Sequence, residues 1–353
     1  MSAPIISTLL LAFGASCLFV WALIPVARRV GLVDEPGGRK HHRGAVPTIG
    51  GLAIVSAVVV TALILGIASQ VHPAFWAGLM VIVLIGTLDD MRDLGHHSKF
   101  LAQIAAAVLM LYWGGWYLDS LGNLVGAWPL LLGVYSIPLT FAAVVGVINA
   151  VNFTDGADGL AGGLVFSALF WYCVIGLRAP LPAGEVQIAL AFLAAVAGFL
   201  MFNLRLHAGR RAAVFLGDAG SLGLGFALAW FMVSGAQRSV PLFAPVTATW
   251  MLAVPLVDTL ACAGRRVLNG ASPFKADRKH AHHILVDLGM PVARAVALIH
   301  ACAFLLGGMG AAGWYWGVAE HAMFYVAMGI FSAYLVFSTW ALRRIDARRA
   351  HPL

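Results

Sequence analysis

"APIISTLLLAFGASCLFVWALIPVA" (residues 3–27) carries no charged side chain and is interrupted only by small hydroxyls, a cysteine, a glycine and two prolines. It exceeds the ~20 apolar residues a helix needs to cross a bilayer. No basic flank precedes it and no convincing cleavage site follows, so it reads as a retained helix and not a removed leader. Similar stretches recur along the chain. Residues 48–70, 74–90, 100–118, 129–151, 159–177, 185–203, 215–235, 243–263, 292–316 and 322–342 complete a set of eleven predicted spans. The fold class is therefore all-α, a polytopic integral membrane protein, because lipid offers no partner to an unpaired backbone group. Composition agrees: 61% of the 353 residues are hydrophobic and only 10% are charged, against roughly a quarter in soluble domains. No internal repeat or separate soluble domain is visible, so residues 1–353 read as one membrane domain. Its working loops are 28–47, 89–99, 152–159, 204–218 and 264–291.

Charge orients the chain. With residues 1–3 outside and loops alternating, only Arg178 and Arg238 of the 22 Lys and Arg fall outside. The positive-inside rule then places the N-terminus outside and the C-terminus in the cytosol. The formal net charge of +7 gathers on one face, where it favours anionic head groups and phosphorylated solutes. Nucleic acid is excluded as a partner, since the basic residues are spread over short loops without clustered aromatics. The four cysteines stand singly in apolar spans and form no disulfide framework.

Acids are costly near lipid and mark function. Apart from Asp119, Glu185 and Glu320, they lie at the cytosolic side. "GTLDDMRDLGHHSK" (86–99) ends the third span with Asp89, Asp90 and Asp93, and acids at a helix C-terminus need a compensating cation. "NAVNFTDGADGLAGG" (149–163) spaces Asn149, Asn152, Asp155 and Asp158 three residues apart, so a continuing helix lines them on one slowly rotating face. Its glycines permit a tight turn and close backbone approach. "FLGDAGSLGLGF" (215–226) puts Asp218 at the start of the eighth span, either as an ordinary N-cap or facing a ligand. Acids at the ends of three spans on one face make a site for a hard cation such as Mg²⁺, which binds through a few carboxylates and substrate phosphate.

The longest cytosolic loop, "RRVLNGASPFKADRKHAHHILVDLG" (265–289), adds His280, His282 and His283 beside Arg278 and Lys279. Zinc is one reading, but the adjacent cations repel a dication and no cysteine or carboxylate stands at ligand spacing. A basic loop on lipid head groups is another. Phosphate recognition accounts best for imidazole, guanidinium and ammonium donors converging in one place. "GRKHHRGAVPTIGG" (38–51), with Lys40, suits the same anion.

These five motifs, in this order between residues 30 and 300, resemble the polyprenyl-phosphate N-acetylhexosamine-1-phosphate transferases, the family that includes MraY, WecA and TagO. "SPFKADRKHAHH" is closer to the H-I-H-H pattern of the WecA and TagO group, with Ala281 in place of the usual isoleucine. The resemblance implies transfer of N-acetylglucosamine-1-phosphate from a UDP-N-acetylamino sugar to undecaprenyl phosphate, releasing UMP. The lipid-linked product starts O-antigen, common-antigen or teichoic-acid-like polymers. It implies Mg²⁺, with Mn²⁺ as a substitute, at a cytosolic active site of a bacterial inner membrane. Asp89 and Asp90 match the paired catalytic acids, and Asp218 with Asp90 match the metal site. Asn149, Asn152, Asp155, Asp158, Lys40, Arg265, Arg266, Arg278, His280, His282 and His283 match the substrate-binding set. Membrane lipids are further partners, and a homodimer is compatible with such a chain. Transfer of phospho-N-acetylmuramoyl-pentapeptide, or of another UDP-N-acetylamino sugar, is the alternative within enzymes. A cation-coupled transporter is the alternative outside them, although transporter acids gather near the midplane and these lie at one face.

Overall fold

The computed structural model describes residues 3–35, 44–126, 128–179, 184–204, 212–268, 270, 272 and 279–350. Of the expected site residues, Lys40 and Arg278 lie outside this set. The described chain is helical apart from loops and one two-residue antiparallel pair, β1 (Val33–Asp34) with β2 (Val46–Pro47).

Among the described residues, seven helices are long and apolar enough to cross a bilayer, or eight if one bent pair counts as a span. They include α1 (Ala3–Val30), α3 (Pro73–Arg92), α5 (Ser136–Thr154), α7 (Gly184–Asn203), α8 (Gly217–Gln237), α12 (Val292–Tyr315) and α13 (Glu320–Ala350). The other expected spans fall on shorter or broken helices. Helix α2 (Gly50–Ile64) and α6 (Leu160–Gly176) are apolar but short. Residues 100–118 divide into α4 (His96–Val108), a π-turn over Leu109–Trp113 and an irregular segment. The expected helix over 243–263 is instead α9 (Pro245–Met251) and α10 (Ala253–Leu268), meeting at 84°. One further short helix, α11 (Ala281–Asp287), takes up the C-terminal part of the expected histidine loop.

Helix α8 is the hub. Its apolar window is wholly buried, whereas those of α1 and α13 are only 17% and 11% buried. Outer helices expose side chains such as Leu10, Trp21 and Val336, a surface that fits lipid and would be costly in water. Around α8 the helices approach at glycines. A Cβ on Gly51 would stand 2.1 Å from the Gly220 nitrogen, and one on Gly86 would stand 2.5 Å from Ala219 Cα. Backbone also joins two of the sequence motifs: Gly50 and Gly51 donate to the carbonyls of Phe215 and Leu216, and Phe215 donates to that of Pro47. The end of α3, the start of α2 and the start of α8 are thereby locked into one floor.

Candidate active site

Acidic side chains from three segments of the chain meet on that floor. Asp90, near the C-terminal end of α3, accepts backbone N–H groups of Asp218 (2.9 Å) and Ala219 (3.2 Å). It therefore occupies the positive end of α8, where a carboxylate is favoured. The sequence allows Asp218 to cap its own helix; the structure gives that work to Asp90. Gly217 permits the approach, since its φ is +74° and a Cβ there would meet Asp90 Oδ2 at 2.6 Å. Asp218 is left facing the cleft, where Asn152 donates to its Oδ1 (2.7 Å) and to Ser221 (2.8 Å).

The cation that acids at the end of α3 require comes from α4. Lys99 donates to Asp89 Oδ2 at 3.0 Å and to Asp218 Oδ2 at 3.1 Å. Burial opposes its charge, but Asp218 and Asp89 together outweigh burial and raise its pKa. Asp93 closes α3 in the left-handed region, with φ +49° and its N–H on the Asp89 carbonyl. Asp155 follows α5 and keeps an open edge. Surrounding protein, then the charges of Asp218, Asp90 and Asp158, raise its carboxyl to about 8. Asp158 accepts the Ala212 N–H at 3.2 Å.

The floor fits a hard divalent cation. Asp89 is 6% exposed, and among the described residues its buried Oδ1 has no hydrogen-bond partner, which is costly for a carboxylate left that way. Its other oxygen already shares one ammonium with Asp218, so a cation has been placed between these groups by the chain itself. Oxygen donors of this kind suit Mg²⁺-like ions and not soft metals.

Facing the floor is a histidine wall. His282 packs on the loop after α5: a Cβ on Gly156 would stand 2.5 Å from its Nε2. The His280 ring lies 5.7 Å from that of Phe153 and stacks with His282 at 6.3 Å, while His283 lies 4.0 Å beyond. His280 Nδ1 meets Asp258 Oδ2 at 2.8 Å. Burial opposes its charge, but Asp258 and Cys262 outweigh it and raise His280 to about 10. Arg265 is turned to Ser338 (2.7 Å), the Lys279 carbonyl (3.1 Å) and Cys262 Sγ (3.2 Å). Arg266 is buried on the same helix.

Asp89, Asp90, Asn152, Asp155, Asp158 and Asp218 are thus brought together, and His280, His282 and His283 flank them. Asn149 sits a turn deeper, donating to Gln103 (2.6 Å) and to its own helix at Val145. Sequence reasoning missed Lys99, Asp258 and Tyr334. No acid or cysteine stands at ligand spacing from the histidines in the sequence, yet the fold brings Asp258 and Cys262 to His280. One signal was present: Asp258, Cys262, Arg265 and Arg266 form an i, i+4, i+7, i+8 stripe on an otherwise apolar helix.

Comparison with known proteins gives the family. Residues 72–236 match the model of the family described as glycosyl transferase family 4. The undecaprenyl-phosphate alpha-N-acetylglucosaminyl 1-phosphate transferase of Escherichia coli K12 is 38% identical over 299 residues, 83% of this chain and 79% of that protein. Its namesake in Yersinia pestis is 36% identical over 86% of this chain and 83% of its own length. That of Haemophilus influenzae is 33% identical over 95% and 94%. These relatives are more than 30% identical along most of the chain, and the chain therefore belongs to glycosyl transferase family 4.

Proposed function

We propose that the protein is a sugar-1-phosphate transferase that moves N-acetylglucosamine-1-phosphate from UDP-N-acetylglucosamine to undecaprenyl phosphate. The products are undecaprenyl-diphospho-N-acetylglucosamine and UMP, the first lipid intermediate of a cell-surface polysaccharide. The observation that carries this reading is the carboxylate floor joined to a cationic wall at one end of the helices. That pairing suits a metal-bound diphosphate, and relatives similar along most of the chain carry this activity in their names.

In the reaction, an oxygen of the lipid phosphate attacks the sugar-bearing phosphorus. The bond from that phosphorus to the bridging oxygen breaks, and UMP leaves with the electron pair. A phosphate monoester has a second pKa near ~6, so the acceptor is largely dianionic at neutral pH. Direct attack then needs no strong base and no aspartyl intermediate. Asp218 and Asp89 would hold Mg²⁺, or Mn²⁺ in its place. Asp90 would add its remaining lone pairs beside them, and the ion would supply Lewis-acid stabilisation of phosphate charge. Asp90 also fixes the start of α8 and so the aim of Asp218. Lys99 balances the acids until substrate arrives, and Asn152 orients Asp218. Asp155 and Asp158 shape the loop that meets the nucleotide. His280, His282 and His283 offer donors to the diphosphate, and Lys40 and Arg278 are assigned to the same anion.

Topology follows the same reading: loops bearing the site face the cytosol of a bacterial inner membrane, with the N-terminus outside and the shorter or broken helices completing eleven passes. Gathering of the acids at one end of the helices, and not at their midplane, supports an enzyme over a transporter.

The test is transfer itself. Purified protein in detergent, given undecaprenyl phosphate, Mg²⁺ and radiolabelled UDP-N-acetylglucosamine, should move label into the organic phase and release UMP. Transfer from a different UDP-N-acetylamino sugar alone would overturn the sugar. Folded protein that transfers from none would overturn the reaction.

A further inference from the structure

Asp258 is a carboxylate inside an apolar helix, 3% exposed, and the reaction described above gives it no part. Its surroundings are built with care. Oδ2 takes His280 Nδ1 at 2.8 Å, and Oδ1 takes the Ala281 N–H at 2.9 Å and the Tyr334 hydroxyl at 2.5 Å. Three elements converge here: α10 supplies the acid, the start of α11 supplies His280, and α13 supplies Tyr334. The same helix α13 holds Arg265 through Ser338.

A buried carboxylate with three donors is stable as an anion. An imidazole whose Nδ1 faces that anion has its orientation set, and it presents Nε2 as its other donor. The groups around the ring are Asp258, Cys262 and Arg265 from α10, His282 from α11, Tyr334 from α13 and the neutral Phe153 ring from α5. Among the described residues, Asp258 is the carboxylate within hydrogen-bond distance of the ring, with Cys262 Sγ at 3.6 Å from the same nitrogen. The alternative, a metal held by Asp258, Cys262 and His280, whose ligand atoms lie within 4.8 Å of one another, fits less well. Arg265 donates to the Cys262 sulfur, and a guanidinium at that position opposes a second cation.

We propose that Asp258 is a positioning residue for the transfer. It turns His280 Nδ1 inward and keeps the ring doubly protonated, so that Nε2–H meets the diphosphate of the UDP-sugar, and Tyr334 fixes Asp258 in turn. This rests on the reading of His280 as a substrate ligand. The wall of the site is thereby anchored to the last helix of the chain.

The experiment compares Asp258→Asn, Asp258→Glu, Tyr334→Phe and His280→Ala in the transfer assay from pH 6 to 9. ¹⁵N-histidine-labelled protein reports the ring's protonation. With Asp258 in place, His280 stays charged to about 10 and contributes a flat profile. In Asp258→Asn the ring returns towards its ordinary pKa of roughly 6.5. kcat/KM for the UDP-sugar should then be near wild type at pH 6 and fall about 30-fold or more by pH 8.5. KM for undecaprenyl phosphate should stay unchanged. Asp258→Glu should recover most of the loss, and Tyr334→Phe should move the profile in the same direction by less. If Asp258→Asn does not fold, Asp258→Glu and Tyr334→Phe carry the test. A loss equal at every pH, or a ring nitrogen signature unmoved by the variants, overturns the proposal. So does a stoichiometric transition metal retained by protein purified without chelators. Full transfer by His280→Ala sinks the underlying reading instead; abolished transfer by His280→Ala with a flat Asp258→Asn profile sinks only this one.

Discussion

The acidic floor and the histidine wall each contain a buried carboxylate, and the two are finished differently. Asp258 in the wall has donors on both oxygens. Asp89 in the floor has Lys99 on one oxygen and nothing on the other. A fully satisfied carboxylate holds structure; a half-satisfied one is poised for a ligand. The frames differ as well. The floor is backbone against backbone at Gly51, Gly86 and Gly220, with little room to shift. The wall is assembled from side-chain hydrogen bonds reaching across to α13, a helix whose apolar stretch is only 11% buried.

The largest test of that contrast is at the floor. Asp218→Asn or Asp89→Asn should cut transfer by about 10²–10³-fold, the scale seen when one preorganised electrostatic group is lost. Chelating the divalent ion should stop it, with Tm little changed by the substitutions. If either variant keeps wild-type rates, the floor is not the reacting centre. Next is the frame: Gly51→Ala must displace the start of α8, and should destabilise the protein by at least about 1–3 kcal/mol, the cost of overpacking. Thermal melting in detergent would read this, and activity should fall with it, because the same shift moves Asp218. A smaller effect is expected at Lys99→Gln, roughly 10-fold in kcat. The Mg²⁺ concentration for half-maximal rate should also fall, since the ammonium no longer competes for Asp89 and Asp218. An unchanged Mg²⁺ dependence would mean that Lys99 and the ion do not share these oxygens.

The smallest effect belongs to the wall and concerns stability. His280 is raised to about 10 from an ordinary value of roughly 6.5. Its pairing with Asp258 therefore stabilises the fold fully below about 6.5 and is lost as pH rises through 10. Wild-type Tm should drop between pH 8 and 10.5 by more than that of His280→Gln. Parallel curves would remove the pair from the stability of this region.

The amino-acid sequence by itself determined the membrane class, the order of the motifs and the side of the membrane on which their acids are expected to gather. These are properties of local composition: an apolar run buries itself in lipid wherever it lies, and an acid at its end is visible without knowing its neighbours. Asp89, Asp90, Asn152 and Asp218 were therefore legible as candidates for one site. The roles within that group were not. That Asp90 caps α8, that Lys99 bridges Asp89 and Asp218, and that residues 243–263 bend by 84° depend on contacts between distant segments. Local periodicity carries no record of such contacts. Asp258 shows the boundary most clearly. An acid within an apolar span was in plain view and already costly, but only packing of α10 against α11 and α13 brings His280 and Tyr334 to it. A buried charge is tolerated by the partners that the tertiary fold delivers, and those partners, 22 and 76 residues further along the chain, decide what it does.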